Sequence, residues 1–225
     1  MATPRQQTTM NSLTLEEVRQ YVNDNIDDFH RRRKQILSLL TLSTLLKKNP
    51  YLFRAKNITK ASELVEGTMS AFLSSSEEKL FGDFLEGLAI FVAEKTTGGH
   101  KSSSQGVDLE FISDNIHYIV AIKSGPNWGN SSQHKKLGED LQTALIRLRQ
   151  SRRVNADAVL GICYGKTKTA RVQTYGYLKL VGQNFWTFIS GNKDLYKNYS
   201  GHIPKSHSFR IVNYQENIVS FDTIH

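Results

Sequence analysis

Apolar residues recur along this chain first at helical spacing and then in short alternating runs, and the change falls near residue 98. Leu15, Val18, Val22, Ile26 and Phe29 repeat every three or four positions behind Thr14-Leu15-Glu16-Glu17, which has the form of a capping box. The pattern continues through Ile36, Leu37, Leu40, Leu42 and Leu45 and stops at Lys47-Lys48-Asn49-Pro50, so the spacing predicts one long helix. The basic cluster Arg31-Arg32-Arg33-Lys34 inside it reads as a solvated face in preference to a phosphate clamp. A second helix is predicted over 59–73. A third opens at Ser75-Ser76-Glu77-Glu78, again a capping box, and ends before Gly98-Gly99.

Beyond the Gly/Ser/Lys loop at 98–106 the period shortens to two. Gly106-Val107-Asp108-Leu109-Glu110-Phe111 and Tyr118-Ile119-Val120-Ala121-Ile122-Lys123 read as two strands joined by the turn Ser113-Asp114-Asn115. A helix follows at about 133–149, with Leu137, Leu141, Leu145 and Leu148 on one face. Strands are predicted at 156–163 and 175–181 and a short aromatic helix at 183–189, while 209–221 fits strand or helix equally. From Glu77 the order is helix, strand, strand, helix, strand. That order implies an α/β chain with an α+β mixed sheet and a helix on each face. Residues 1–74 would form a helical region packed on a core at 75–225, one structural domain overall.

Composition narrows the function classes. Hydrophobic content of 39% and charged content of 22% are ordinary for a soluble protein. No apolar run is long enough to cross a bilayer, and the first seven residues lack the apolar core of a secretory signal. The single cysteine, Cys163, excludes an intramolecular disulfide and a cysteine-based zinc cage. A cytoplasmic protein is the expectation. A net charge of +8 favours a polyanionic partner, because a basic surface releases counterions from nucleic acid. The absence of a Gly-Lys-Ser/Thr phosphate loop argues against a nucleotide cofactor.

Chemistry concentrates in the hairpin. Alternation puts Val107, Leu109 and Phe111 on one face and Asp108 and Glu110 on the other. On the second strand Ile119, Ala121 and Lys123 share a face. Pairing would bring Asp108 near Lys123 at the sheet edge, with the Ile122 backbone carbonyl beside them. A carboxylate and a lysine so placed can hold Mg²⁺ and a phosphate, the needs of phosphodiester hydrolysis. An exposed strand acid and a strand-end lysine are also common without any such role. Ala121 occupies the place, two before the lysine, where such sites carry a second carboxylate. In the loop after Lys123, the side chains of Ser124, Asn127, Asn130, Ser131 and Gln133 could reach phosphates or base edges, and Trp128 could stack or wedge on DNA. Lys101 and Lys135 could follow the backbone. A turn-rich connection is the plainer alternative.

Longer blocks carry a resemblance. Phe81-Gly82-Asp83-Phe84-Leu85-Glu86-Gly87, Gly106-Val107-Asp108-Leu109-Glu110-Phe111 and Ile122-Lys123-Ser124-Gly125-Pro126-Asn127-Trp128, with further blocks at 48–53, 163–166 and 178–186, resemble type II restriction endonucleases of the PD-(D/E)XK superfamily, in particular the PmeII-like group. The resemblance implies an αβββαβ core with an N-terminal helical extension. It also implies Mg²⁺-dependent cleavage of double-stranded DNA at a short palindromic site, with 5′-phosphate ends. A two-fold homodimer would match the symmetry of such a target. Asp108 matches the first acid of that superfamily and Lys123 its lysine. Ala121 departs from the pattern. Either the second acid is relocated, to Glu110 or Glu86 within matching blocks or to Glu139 beyond them, or Ala121 is an inactivating change, or one acid and the Ile122 carbonyl suffice. A duplex-binding protein without cleavage and a monomeric repair or nicking nuclease are the alternatives.

Overall fold

The computed structural model describes residues 13–47, 51, 55–152 and 154–196. The first helix, α1 (Leu15–Ser38), starts at the expected capping box: the Thr14 hydroxyl accepts from the Glu17 amide, and the Glu17 carboxylate accepts from the Thr14 amide at 2.9 Å. The apolar repeat runs on to Leu45, but the helix does not. Thr41 takes an extended conformation and its hydroxyl accepts from the Thr44 amide at 3.3 Å, which starts a separate short helix, α2 (Leu42–Leu46). Side-chain competition for the backbone thus splits a pattern that periodicity alone would join.

The opposite happens downstream. A single helix, α3 (Ala61–Thr97), replaces the two predicted. The Ser75 and Ser76 hydroxyls donate to the carbonyls of Ala71 and Phe72, each at 2.9 Å and one turn back, so neither serine caps anything. The helix ends where expected, at Gly98, whose φ of 68° suits the left-handed cap position.

The sheet has six strands: β1 (His100–Lys101), β2 (Leu109–Ser113), β3 (Ile116–Lys123), β4 (Asn155–Ile162), β5 (Ala170–Val172) and β6 (Tyr177–Val181), in spatial order β1-β2-β3-β4-β6-β5. β3, β4 and β6 pair in parallel, while β1 with β2, β2 with β3 and β5 with β6 pair antiparallel. β1 and β5, of two and three residues, are too short to show alternation in sequence. The β2–β3 turn places Asp114 and Asn115 at φ of 50° and 60°, the left-handed pair that a two-residue type I′ hairpin needs. The remaining helices are α4 (Ser131–Arg152) and α5 (Gln183–Ser190). The succession α3-β1-β2-β3-α4-β4 is the αβββαβ order of a restriction-endonuclease-like fold. The segment 209–221 lies outside the described residues.

Each sheet face has its own core. Leu109, Phe111, Val120 and Ile122 pack with Leu88 and Val92 of α3 and with Phe185 of α5. Ile119, Ala121, Leu160 and Ile162 pack under Leu137, Leu141 and Leu145 of α4. Gly161 is required for the first layer, because a Cβ there would stand 2.2 Å from the Phe185 ring. The basic cluster is largely the solvated face expected, with Arg31, Arg32 and Lys34 exposed, but two of its arginines also reach α3. Arg32 pairs with Asp83 at 3.1 Å and Arg33 with Glu77, while Tyr21 stacks on Phe91 at 4.5 Å, so these residues brace α1 against α3. No helix among the described residues is long and apolar enough to cross a membrane.

At the far edge Arg171 of β5 forks onto Asp157 of β4, with Nη1 donating to Oδ1 at 2.8 Å. The hydrogen-bonded guanidinium, helped by the Ala158 amide, holds the Asp157 carboxyl below its ordinary range. A depressed folded pKa stabilises the protein above the unfolded pKa, and that stability is lost as pH falls through the folded value. The pair is about a third exposed, so its worth is at most about 1 kcal/mol. Asp157→Asn should lower the melting temperature at neutral pH, and calorimetry should show the gap to wild type closing as pH falls through and below the ordinary carboxylate range. A gap independent of pH would contradict the role given to the charge.

Candidate active site

The hairpin does not pair with perfect alternation. Leu109 lies opposite Val120, yet the Asp108 amide also donates to the Val120 carbonyl, at 2.9 Å. Two residues of one strand thus face one of the other, which is a β-bulge. The faces confirm it: Val107 belongs to the cluster under α4, whereas Leu109 belongs to the cluster under α3. Val107 therefore does not share a face with Leu109 and Phe111 as strict alternation predicts, and strand parity no longer puts Asp108 beside Glu110. The slip also frees the Ile122 amide from the ladder. Asp108 Oδ2 takes that amide at 2.6 Å, so the carboxylate closes the gap that the bulge opens.

Lys123 ends β3 in the same place. Its Nζ stands 3.7 Å from Asp108 Oδ2 and 5.6 Å from the centre of the Trp128 ring, which lies beneath the ammonium as a cation–π partner. The amide and carbonyl of one strand residue point to the same neighbour. Since the Ile122 amide meets Asp108, the Ile122 carbonyl also faces that side. The Lys123 carbonyl faces the other way, accepting from the Cys163 amide at 2.9 Å.

Helix α3 contributes the third group. Gly82 passes within 3.9 Å of Ser124 Oγ, measured from where a Cβ would lie, and Glu86 follows one turn later. Lys101 of β1 holds Glu86 at 3.2 Å. A cleft of about 660 Å³ opens there, bounded by Tyr21, Asp83, Glu86, Ile90, Glu94 and Lys101. Burial pushes the Cys163 thiol, just beyond β4, far above its ordinary range; the charges of Glu86 and Asp108 add to the rise and that of Lys123 opposes it.

The other candidates lie elsewhere or are engaged. Glu110 faces away from this group, bonded to Ser102 Oγ at 2.5 Å and to His117 Nε2 at 3.0 Å. Glu139 sits on the exposed side of α4, 4.0 Å from Lys135. In the loop, the Asn130 amide donates to the Gln133 side chain at 2.8 Å and the Gln133 amide to Asn130 Oδ1 at 3.1 Å, so both side chains are spent capping α4. Trp128 is partly buried against the α4-side cluster, with its ring 4.5 Å from that of His134. Asn127 and Ser131 are exposed, and Ser124 is half-buried. Among the described residues no three His, Cys, Asp or Glu side chains form a ready-made metal cage. Ala121 is fully buried in the α4-side cluster, so a carboxylate there would enter an apolar layer.

Sequence reasoning passed over Ser102 and His117. The signal for His117 was a lone histidine opening an otherwise apolar strand. For Ser102 there was none, because a serine in a Gly/Ser/Lys loop looks like linker. The account of Cys163 has a direct check. In the native protein an alkylating reagent should leave Cys163 unmodified at neutral pH, and denaturant should release one reactive thiol; rapid labelling of the native protein would contradict the burial described.

No curated protein matches the chain. The family model described as "Type II restriction endonuclease EcoO109I" matches residues 16–205, which take in α1, α3, the whole sheet and every group at the hairpin end. With that match across most of its length, the chain belongs to the EcoO109I family of type II restriction endonucleases.

Proposed function

We propose that this chain cuts both strands of duplex DNA at a short palindromic sequence with Mg²⁺, leaving 5′-phosphates, and that Asp108, Glu86 and Lys123 form the reacting set. The Asp108–Lys123 pair at the bulge, with the Asp108 carboxylate on the Ile122 amide, carries the reading; Glu86 joins it from α3, one turn beyond the glycine that packs near Ser124. The earlier likeness to the PD-(D/E)XK plan and its PmeII-like group supports the same assignment of Asp108 and Lys123. The second acid comes from α3 in place of residue 121. The burial of Ala121 supports relocation, since the position serves packing here.

The donor set fits Mg²⁺. Asp108, Glu86 and the Ile122 carbonyl offer only oxygen, and a cation that keeps several waters needs no larger protein cage. Bound there, Mg²⁺ would polarise the phosphate and lower the pKa of its water. The chain's own groups do the remaining work. The Ile122 amide orients the Asp108 carboxylate. Lys123, held over Trp128, directs its ammonium to the phosphate oxygens, where negative charge grows during displacement, or to the attacking water. Glu86, paired with Lys101 at 3.2 Å, would be the second carboxylate to hold the ion. Asn127, Ser131 and Lys135 are exposed in the loop and helix that follow Lys123 and suit phosphate contact, which fixes DNA in register. Two copies related by a two-fold axis would present one such site to each strand of a palindrome in cytoplasmic DNA.

Digestion of sequenced duplex DNA with Mg²⁺ should give discrete fragments whose mapped ends carry 5′-phosphates. Lys123→Ala and Glu86→Gln should each slow cleavage by about 10²-fold or more while duplex binding stays within a few fold. Glu139→Gln should cut like wild type. No cleavage with any divalent metal across many sequences would overturn the reading, and salt-sensitive duplex binding without cutting would then favour a cleavage-dead DNA-binding protein. Full activity of Glu86→Gln would remove that residue from the set.

A further inference from the structure

The most buried histidine–carboxylate contact among the described residues plays no part in the reaction proposed for Asp108, Glu86 and Lys123. His117 is 3% exposed and Glu110 12%. Burying a carboxylate is costly unless its oxygens are matched by well-placed hydrogen bonds. Here each Glu110 oxygen has its own donor: Ser102 Oγ on Oε1 and His117 Nε2 on Oε2. His117 Nδ1 is buried without a partner. An orphaned acceptor costs less than an orphaned N–H, so the ring hydrogen sits on Nε2 and points at Glu110.

Ser102 ties this pair to the candidate site. Its hydroxyl, bonded to Glu110, also accepts from the Ser104 amide at 3.0 Å, and the Ser104 carbonyl accepts from the Val107 amide at 3.1 Å. Most significantly, the Ser102 amide donates to the Asp108 carbonyl at 3.1 Å. The Asp108 backbone is thus gripped twice, through its carbonyl by Ser102 and through its amide by Val120. Its side chain reaches Ile122 from that fixed base.

We propose that Glu110 is a positioning residue. Acting through Ser102, and backed by His117, it fixes the bulge at Asp108 and does not itself ligate metal. The inference rests on the reading of Asp108 as the metal-binding acid, but its structural half stands apart from that reading. A ligand would keep at least one oxygen free toward the cleft, whereas both Glu110 oxygens are engaged inside the protein on the far side of the bulge.

The test is a double-mutant cycle of Ser102→Ala and Glu110→Gln, with wild type and Glu86→Gln as references. The first readout is amide hydrogen exchange at Ile122 in the metal-free, DNA-free chain, with the Leu160 amide of β4 as control. Each variant should lose about tenfold or more of the Ile122 protection, the double variant should lose no more than either single, and Leu160 should be unchanged. The second readout is Ca²⁺ titration of the duplex-bound protein by calorimetry, alongside cleavage kinetics with Mg²⁺. Both variants should weaken metal binding to the same degree and lower kcat about tenfold with KM for DNA unchanged, and their effects should not add.

Unaltered Ile122 protection in both variants would overturn the proposal. So would a loss of Ca²⁺ affinity in Glu110→Gln that matches Glu86→Gln and exceeds Ser102→Ala by tenfold, because that is what removing a ligand does. Ser102→Ala keeps the carboxylate and removes one surface-loop hydroxyl, so it decides the question should Glu110→Gln fail to fold. Wild-type protein that binds no metal and cuts no DNA would sink the functional reading alone, and the exchange cycle would still settle whether Glu110 holds Asp108.

Discussion

The hydrogen bond from the Ile122 amide to the Asp108 carboxylate is the contact on which the rest of the candidate site depends. A regular hairpin would give that amide to a backbone carbonyl of β2. The bulge at Asp108 removes the carbonyl, and a buried amide without a partner costs far more than a typical hydrogen bond contributes. A side-chain oxygen must fill the gap, and the carboxylate two bonds from the bulged backbone does so. The same slip turns the Ile122 carbonyl toward Asp108 and leaves Lys123 at the end of the strand with its ammonium 3.7 Å from the acid. One local irregularity thus gathers an acid, a carbonyl oxygen and a cation at one sheet edge.

In the proposed site the second acid comes from α3. α3 does two jobs along one uninterrupted length. Leu85, Leu88, Ala89 and Val92 bury against the sheet, while Glu86 turns toward the cleft between them and α1. α1 is braced on α3 through Tyr21, Arg32 and Arg33, which places the N-terminal region in the wall of the cleft. Cys163, buried just beyond β4, is flanked by Trp186, whose Nε1 donates to the Cys163 carbonyl at 2.7 Å. Lys101 pairs with Glu86, and Lys123 with Asp108.

The sequence reveals the elements whose signals are periodic or steric: the capping box of α1, the left-handed Asp114-Asn115 turn, the leucine face of α4, the apolar strand β4 and the stop at Gly98. It misleads where a polar side chain has two ways to satisfy the backbone. Thr41 caps a new helix, whereas Ser75 and Ser76 bond back within an old one, and the local letters are nearly the same. In the candidate site, Asp108 and Lys123 stand out because their separation fits a hairpin. The neighbours of Asp108 do not, because strand parity assumes a ladder without a bulge. That assumption seats Glu110 beside Asp108, and the structure seats it with Ser102 and His117. Glu86 was a candidate by resemblance alone, since no local pattern connects a mid-helix glutamate to a strand end more than 20 residues later.

The central claim is that Asp108 at the bulge and Glu86 of α3 share one divalent cation. Crystals of the chain with duplex DNA and Mn²⁺, measured at a wavelength where manganese scatters anomalously, test it most directly. The account predicts an anomalous peak within coordination distance of the Asp108 and Glu86 carboxylates and the Ile122 carbonyl, with Lys101 displaced from Glu86. A peak coordinated by Glu110, or by Asp108 with Glu86 still paired to Lys101, would contradict it.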